Sequence, residues 1–291
     1  MIDSELLNIK PHENPKFFTF DYEDWFHLLY APENSEVSQW NSFESRLDFG
    51  ADLIVEVSEL LNVKFTVFTL GWIAKFRPEL IQKLSRHGME IASHSMTHQS
   101  FLNSNKQFLT HEIIDSKNLL EDVISKPVSG FRAPAFTVKP DDYDAFEVMC
   151  KAGYKYDASV NLSHRLGQKK NEISDLNGPY KIETDFGKLY EFPIINDNRL
   201  INIFFTGGGY FRLTPALLIK KLIENNTNKY YMTYFHSRDF DVCQPRLKSL
   251  SLLNNFRAYY GIRKTNSKIL NYKKMELSGT IENWIKKYEN K

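Results

Sequence analysis

Val63-Lys-Phe-Thr-Val-Phe-Thr-Leu70 is followed by a helical stretch at Pro78–His87 and then by Met89-Glu-Ile-Ala-Ser-His-Ser-Met-Thr-His98. The first run is β-branched and aromatic, and Gly71 closes it, so it reads as a strand. The middle stretch has proline in its first turn and Gly88 past its end, the usual punctuation of a helix. Glu90–Ser93 reads as a second strand. A strand, a helix and a strand in succession predict two parallel strands with a crossover helix, the unit from which α/β sheets and barrels are built.

The same alternation extends both ways. Lys16–Phe20 reads as a strand, and Ser42 to Leu61 has apolar residues at helical spacing. Downstream, residues 106–125 and 140–152 read as helices. Pro127–Phe131, Tyr154–Tyr156, Glu191–Pro193 and Lys229–Phe235 read as strands, and a further helix starts near Pro215. From about residue 245 the chain turns Lys/Asn-rich and mostly helical. The expected organisation is an α/β domain over residues 1–244, followed by a helical extension over 245–291 packed on it.

Chemically loaded residues fall just after the expected strands: Asp21, His94, Arg132, Asp157 and His236. In parallel α/β architectures, sites gather at the carboxyl ends of strands. His94 and His98 stand four residues apart at one strand end. Phe20-Asp-Tyr-Glu-Asp-Trp-Phe26 crowds Asp21, Glu23 and Asp24 at another. Two imidazoles and one carboxylate can hold a divalent metal and leave a position open for water and substrate. Isolated His-x-x-x-His pairs are often only solvated loop residues; the strand end and the carboxylate partners argue otherwise here.

Composition bounds the alternatives. With 291 residues, 42% of them hydrophobic, the chain can bury a large core. A formal net charge of +1 gives no overall electrostatic footprint for nucleic acid. Cys150 and Cys243 lack metal-ligand spacing and are expected to be buried thiols in a reducing compartment. The first residues show no secretory pattern, and no run approaches the ~20 apolar residues of a membrane span, so a cytoplasmic location is the expectation. Gly207-Gly-Gly209 lacks the Lys-[Ser/Thr] of a phosphate loop, and Tyr210 and Phe211 after it could form an aromatic lip. Trp25 and Trp72 are either cleft walls or core.

Five blocks in order, Thr19-Phe-Asp-Tyr-Glu-Asp24, His94-Ser-Met-Thr-His98, Arg132-Ala-Pro-Ala-Phe136, Tyr156-Asp-Ala-Ser159 and Tyr234-Phe-His236, resemble the polysaccharide deacetylases with a NodB-like domain, carbohydrate esterase family four. Asp21-Tyr-Glu-Asp-Trp-Phe-His27, Gly207-Gly-Gly-Tyr-Phe-Arg-Leu213 and Gln244-Pro-Arg-Leu247 are similar to its exosortase-associated branch, which carries a C-terminal extension. The resemblance implies an irregular (β/α) barrel of about seven parallel strands. It implies removal of acetyl groups from N-acetylated amino sugars, as polymer or as lipid- or nucleotide-linked precursor, with a divalent metal activating water. Zn²⁺ suits the donor types, with Co²⁺, Ni²⁺ and Fe²⁺ as alternatives.

Carried over by position, Asp21 is the general base and His94 and His98 bind the metal. Arg132 pairs with Asp21. His236 is the general acid, oriented or raised in pKa by Asp157. The family has two adjacent aspartates where this chain has Asp21-Tyr22, so the third metal ligand is Glu23, which shares a strand face with Asp21, or Asp24. The remaining carboxylate is then supporting or solvated. A second departure follows the last histidine, where Ser237-Arg238-Asp239 replaces the branch's usual Pro-Trp-Glu; it implies a retuned substrate or an altered metal affinity. Two other functions stay open: hydrolysis of another small or cyclic amide at the same site, and a catalytically inactive glycan-binding domain.

Overall fold

A computed structural model describes residues 3–7, 9, 13–162, 178–195, 206–227 and 229–291. Its strands are β1 (Asp3–Leu6), β2 (Lys16–Phe17), β3 (Thr19–Tyr22), β4 (Thr66–Thr69), β5 (Glu90–Ser93), β6 (Gly130–Phe131), β7 (Tyr156–Asp157), β8 (Tyr180–Thr184), β9 (Gly187–Glu191), β10 (Tyr231–Met232) and β11 (Phe235–His236). The principal helices are α1 (Leu47–Leu61), α2 (Pro78–Arg86), α3 (Ser116–Ile124), α4 (Tyr143–Lys151), α5 (Gly208–Leu213), α6 (Ala216–Asn225), α7 (Leu252–Tyr259) and α8 (Ile281–Glu289).

One sheet runs in the order β1-β8-β9-β7-β6-β5-β4-β3-β11. From β9 to β11 every neighbouring pair is parallel, which makes seven parallel strands. The β8–β9 hairpin and β1 add an antiparallel edge. Parallel strands need crossovers, and α1, α2, α3 and α4 lie between successive strands to supply them. The mixed α/β architecture expected from the sequence is therefore the one observed.

Period-two alternation sorts the first strands. Phe18, Phe20 and Tyr22 face the helices and join the larger core, with Phe18 stacked on Phe235 at 5.1 Å. Phe17, Thr19 and Asp21 face the other way, Phe17 into a second cluster with Phe68, Tyr156, Phe192 and Met232. Tyr156 has room because Gly130 lies opposite: a Cβ there would meet its ring at 1.9 Å. Ile281 and Ile285, one turn apart on α8, complete this cluster beside Trp284, whose ring meets Phe192 at 5.7 Å. The backbone N–H of Ile281 donates to Thr66 Oγ1 at 3.0 Å, and that of Ser278 to the Lys16 carbonyl at 2.9 Å. The last helix thus belongs to the sheet's own core.

Several boundaries differ from expectation. The helix expected over 106–125 contains a π-turn at His111–Asp115, which lets Ser116 Oγ reach Ser93 Oγ at 2.7 Å. The strand expected over Lys229–Phe235 is broken at Thr233, whose hydroxyl accepts from Thr19 N at 2.8 Å. Phe211 is fully buried against Phe235, so only half-exposed Tyr210 remains of the expected lip. Trp25 and Trp72 are core residues. The two cysteines are free, as expected, but Cys243 is exposed and Cys150 half-buried.

Candidate metal and catalytic site

Asp21 is the penultimate residue of β3, His94 follows β5, Arg132 follows β6 and His236 ends β11, all at the carboxyl end of parallel strands. The His94–His98 loop has a tight path, with Ser95 at φ 69° and His98 at φ 51°, both left-handed. Glu112 holds it there. Its buried carboxylate accepts from Met96 N and Thr97 N at 2.9 Å and from Thr97 Oγ1 at 2.5 Å.

Glu23, His94 and His98 each bring a ligand atom within 4.8 Å of the others, and all three are buried. Both imidazoles are oriented from behind. His94 Nδ1 donates to the Arg132 carbonyl at 2.8 Å, and His98 Nδ1 donates to Asn34 Oδ1 at 3.2 Å, which leaves each Nε2 as a lone pair. This is how metal-ligating histidines are commonly braced. His98 Nε2 stands 2.7 Å from Glu23 Oε2, a hydrogen-bond distance that one shared proton satisfies. Metal binding displaces such a proton, and two imidazoles and a carboxylate converging in one buried place are a donor set that fits a divalent metal. Burial pushes the His94 pKa down to about 4, which keeps its ring neutral and able to coordinate.

Asp24 does not share this place. Its carboxylate turns back to accept from Trp25 N, Arg46 N and Ser45 Oγ, and burial raises its pKa to about 6. It caps a loop; it is neither solvated nor among the converging donors.

Asp21 lies 2.5 Å from Arg132 Nη1. Burial would raise its pKa, but Arg132, His94 and His236 outweigh that and hold it below the usual carboxylate range. Arg132 is itself fully buried, its guanidinium carbon 3.8 Å from the Phe68 ring centre. His236 Nε2 is 3.7 Å from Asp21 Oδ2 and 3.2 Å from Glu23 Oε1.

The residue behind His236 is Asp239. Its Oδ2 receives the backbone N–H of His236 at 3.0 Å and faces His236 Nδ1 at 3.1 Å. Arg212 Nε sits 3.0 Å from its other oxygen. Burial opposes ionisation of Asp239, yet the His236 hydrogen bond and the Arg212 charge keep its pKa well below normal. The expected pairing of Asp157 with His236 is corrected accordingly. Asp157 accepts from Ser159 Oγ and lies beside Glu191, its neighbour across the β7–β9 register. Desolvation raises both carboxyls, Asp157 to about 6 and Glu191 well above normal.

Arg238, the middle residue of the Ser237-Arg238-Asp239 departure, turns to the candidate metal ligands, and its Nη1 donates to Glu23 Oε1. Asn34, Glu112, Arg212 and Asp239 were given no role from the sequence, although Arg212 and Asp239 fell within quoted blocks. Asp239 carried the clearer signal, three residues past His236.

Residues 43–156 match the family model "Polysaccharide deacetylase", and residues 164–285 match "Domain of unknown function (DUF3473)". Asp21 and Glu23 precede the first match, whereas His236, Arg238 and Asp239 lie in the second. A peptidoglycan-N-acetylglucosamine deacetylase of Bacillus cereus is 27% identical over 103 residues, covering 35% of this chain and 46% of that protein, so the match spans about half of the relative's length. Among solved structures, one described as a polysaccharide deacetylase from Mycobacterium smegmatis superposes with a TM-score of 0.62 at 15% identity, covering 100% of this chain and 96% of the other. Another so described, from Pseudomonas aeruginosa, gives 0.59 at 12%, covering 95% and 91%. A CE4 family pseudoenzyme of Bacillus anthracis gives 0.50 at 10%, covering 94% and 66%. At these identities the structures speak to fold alone.

Proposed function

Because the chain belongs to the polysaccharide deacetylase family, we propose that it is a metal-dependent hydrolase that removes N-acetyl groups from amino sugars of a polysaccharide or its lipid- or nucleotide-linked precursor. The observation that carries this reading is the convergence of Glu23, His94 and His98 beside the Asp21–Arg132 and His236–Asp239 pairs.

His94, His98 and Glu23 would hold the ion, and Zn²⁺ suits two imidazoles and a carboxylate. When bound, such an ion polarises the amide carbonyl and makes water a stronger acid. Arg132 keeps Asp21 ionised and fixes its rotamer, so Asp21 Oδ2 can take the proton from the attacking water. His236, its Nδ1–H on Asp239, can carry a second proton on Nε2 and give it to the amine nitrogen as the C–N bond breaks. Water supplies the new C–O bond, and the products are acetate and the free amine. The 3.7 Å between Asp21 Oδ2 and His236 Nε2 supports a reading in which the two act on one scissile bond.

Acetate release from N-acetylglucosamine oligomers and nucleotide-linked N-acetyl sugars, with added Zn²⁺ and with chelator, tests the proposal. Metal-dependent acetate that disappears in Asp21→Asn and His94→Ala is expected. No acetate from a protein holding stoichiometric metal would move the reading to another amide. One observation favours the inactive glycan-binding alternative: Arg238 already occupies an oxygen of Glu23, so a protein that takes up no metal would be read that way.

A further inference from the structure

The near-zero net charge conceals a segregated one. Between Asp241 and Glu276 the chain has no acidic residue and eight lysines and arginines. This segment carries α7, whose apolar stripe points outward. Leu252 is 93% exposed, and Leu253, Phe256 and Tyr260 follow on the same face at helical spacing. Phe256 and Tyr260 pair their rings at 4.6 Å, and Ala258 is the one buried residue of the helix. Across a cavity of about 850 Å³ stand the end of α5 and the start of α6, which expose Leu213, Leu217 and Leu218, Leu217 to 78%. Arg246, Arg263 and Lys264 line the same cavity, and its one acid, Asp241, is bound by Arg46 at 2.6 Å. Arg257, Arg263 and Lys264 are exposed and make no ion pair with another described residue.

We propose that this face docks on an anionic lipid bilayer, with Leu217, Leu252, Leu253 and Phe256 entering the interface and Arg257, Arg263 and Lys264 meeting lipid phosphates. A soluble polyanion would satisfy the cations but leave protruding leucines in water. An apolar protein groove would cover the leucines but leave the cations without partners. An anionic membrane surface accommodates both, since it combines an apolar boundary with a negative potential. The face adjoins the candidate active site through Arg212. The Nε of that side chain holds Asp239, while Nη1 and Nη2 donate to the carbonyls of Ala258, Tyr260 and Arg257 around the end of α7. Docking would therefore hold His236 next to the membrane, a placement that does not depend on which amide is cleaved.

The test is co-sedimentation of the whole chain with phosphatidylcholine vesicles, with and without phosphatidylglycerol. Binding that requires phosphatidylglycerol and weakens with salt is expected. Leu252→Ser/Leu253→Ser should abolish most of it, and Arg263→Gln/Lys264→Gln should weaken it by about fivefold per charge removed. Unchanged unfolding midpoints would show that both variants remain folded. No binding to phosphatidylglycerol vesicles by folded wild type would overturn the proposal, as would equal binding by all three proteins. Stabilisation by inorganic phosphate or diphosphate without vesicle binding would overturn it in favour of a soluble phosphate ligand. Acetate assays on soluble substrates read the proposed chemistry separately.

Discussion

Arg238 and His98 hold opposite oxygens of one carboxylate: Arg238 Nη1 donates to Glu23 Oε1, and His98 Nε2 lies 2.7 Å from Glu23 Oε2. A guanidinium on a would-be metal ligand is a cation competing with another cation. Arg238→Ala should therefore tighten Zn²⁺ binding, on the order of tenfold, the scale of a partly screened charge pair. Calorimetric titration of chelator-stripped protein reads this directly. Weaker binding in the variant would show instead that Arg238 presents Glu23 to the metal.

Asn34 lies 64 positions before the ring it orients. Asn34→Ala removes the acceptor that fixes the His98 tautomer, and loss of such a partner commonly costs about 10–100-fold in metal affinity. The same titration decides; an unchanged constant would mean that the loop alone sets the ring.

The Asp21–Arg132 pair is buried on both sides. Arg132→Ala strands a charge, and breaking a buried pair from one side typically costs about 3–5 kcal/mol. Urea unfolding should show that loss, and the Asp21 carboxyl should titrate higher. A change below 1 kcal/mol would indicate that water replaces the guanidinium.

Asp239→Asn keeps the shape behind His236 but removes the charge that supports its imidazolium. A fall in kcat of about a hundredfold or more, with KM little changed, is expected from analogous His–Asp pairs. Equal effects on kcat/KM and KM would point to lost substrate binding.

Asp157 and Glu191 give a pH signature. Burial raises both folded-state pKa values, whereas in the unfolded chain both ionise near pH 4. The folded pair then keeps protons that the unfolded chain releases, so its contribution is complete below about pH 4 and is lost as pH rises through about 6 and beyond. Glu191→Gln should leave stability near wild type at pH 4.5 and raise the unfolding midpoint at pH 8. A variant less stable at both pH values would rule out the raised pKa of Glu191 as a source of instability at high pH.

What the sequence disclosed follows from where information sits along the chain. Asp21, His94, Arg132 and His236 could be found because each follows a strand whose composition announces it. Choosing between Glu23 and Asp24 needed the turn after β3, since one residue's difference in path sends one carboxylate toward the histidines and the other back to Arg46 N. Asp157 was misassigned because a carboxylate at a strand end has no sequence mark for which neighbour it meets. The β7–β9 register supplies Glu191, and a short turn supplies Asp239 to His236. The β8–β9 hairpin was reduced to Glu191–Pro193 because its turn, Asp185-Phe186, separates Asp from Gly187 and so lacks the adjacent Asp-Gly pair that signals a hairpin most strongly.

The docking of α8 has a consequence for how the chain is made. Thr66 receives Ile281 N–H and Glu90 receives Glu282 N–H, while Trp284 covers Phe17 and Phe192. Strands synthesised early thus wait for residues about two hundred positions later, |i−j| being 215 for the first of these bonds. At a translation rate of about 5–20 residues per second, that interval lasts on the order of ten seconds or more. Until then Phe17, Thr66 and Glu90 lack the cover and the backbone donors that α8 later brings.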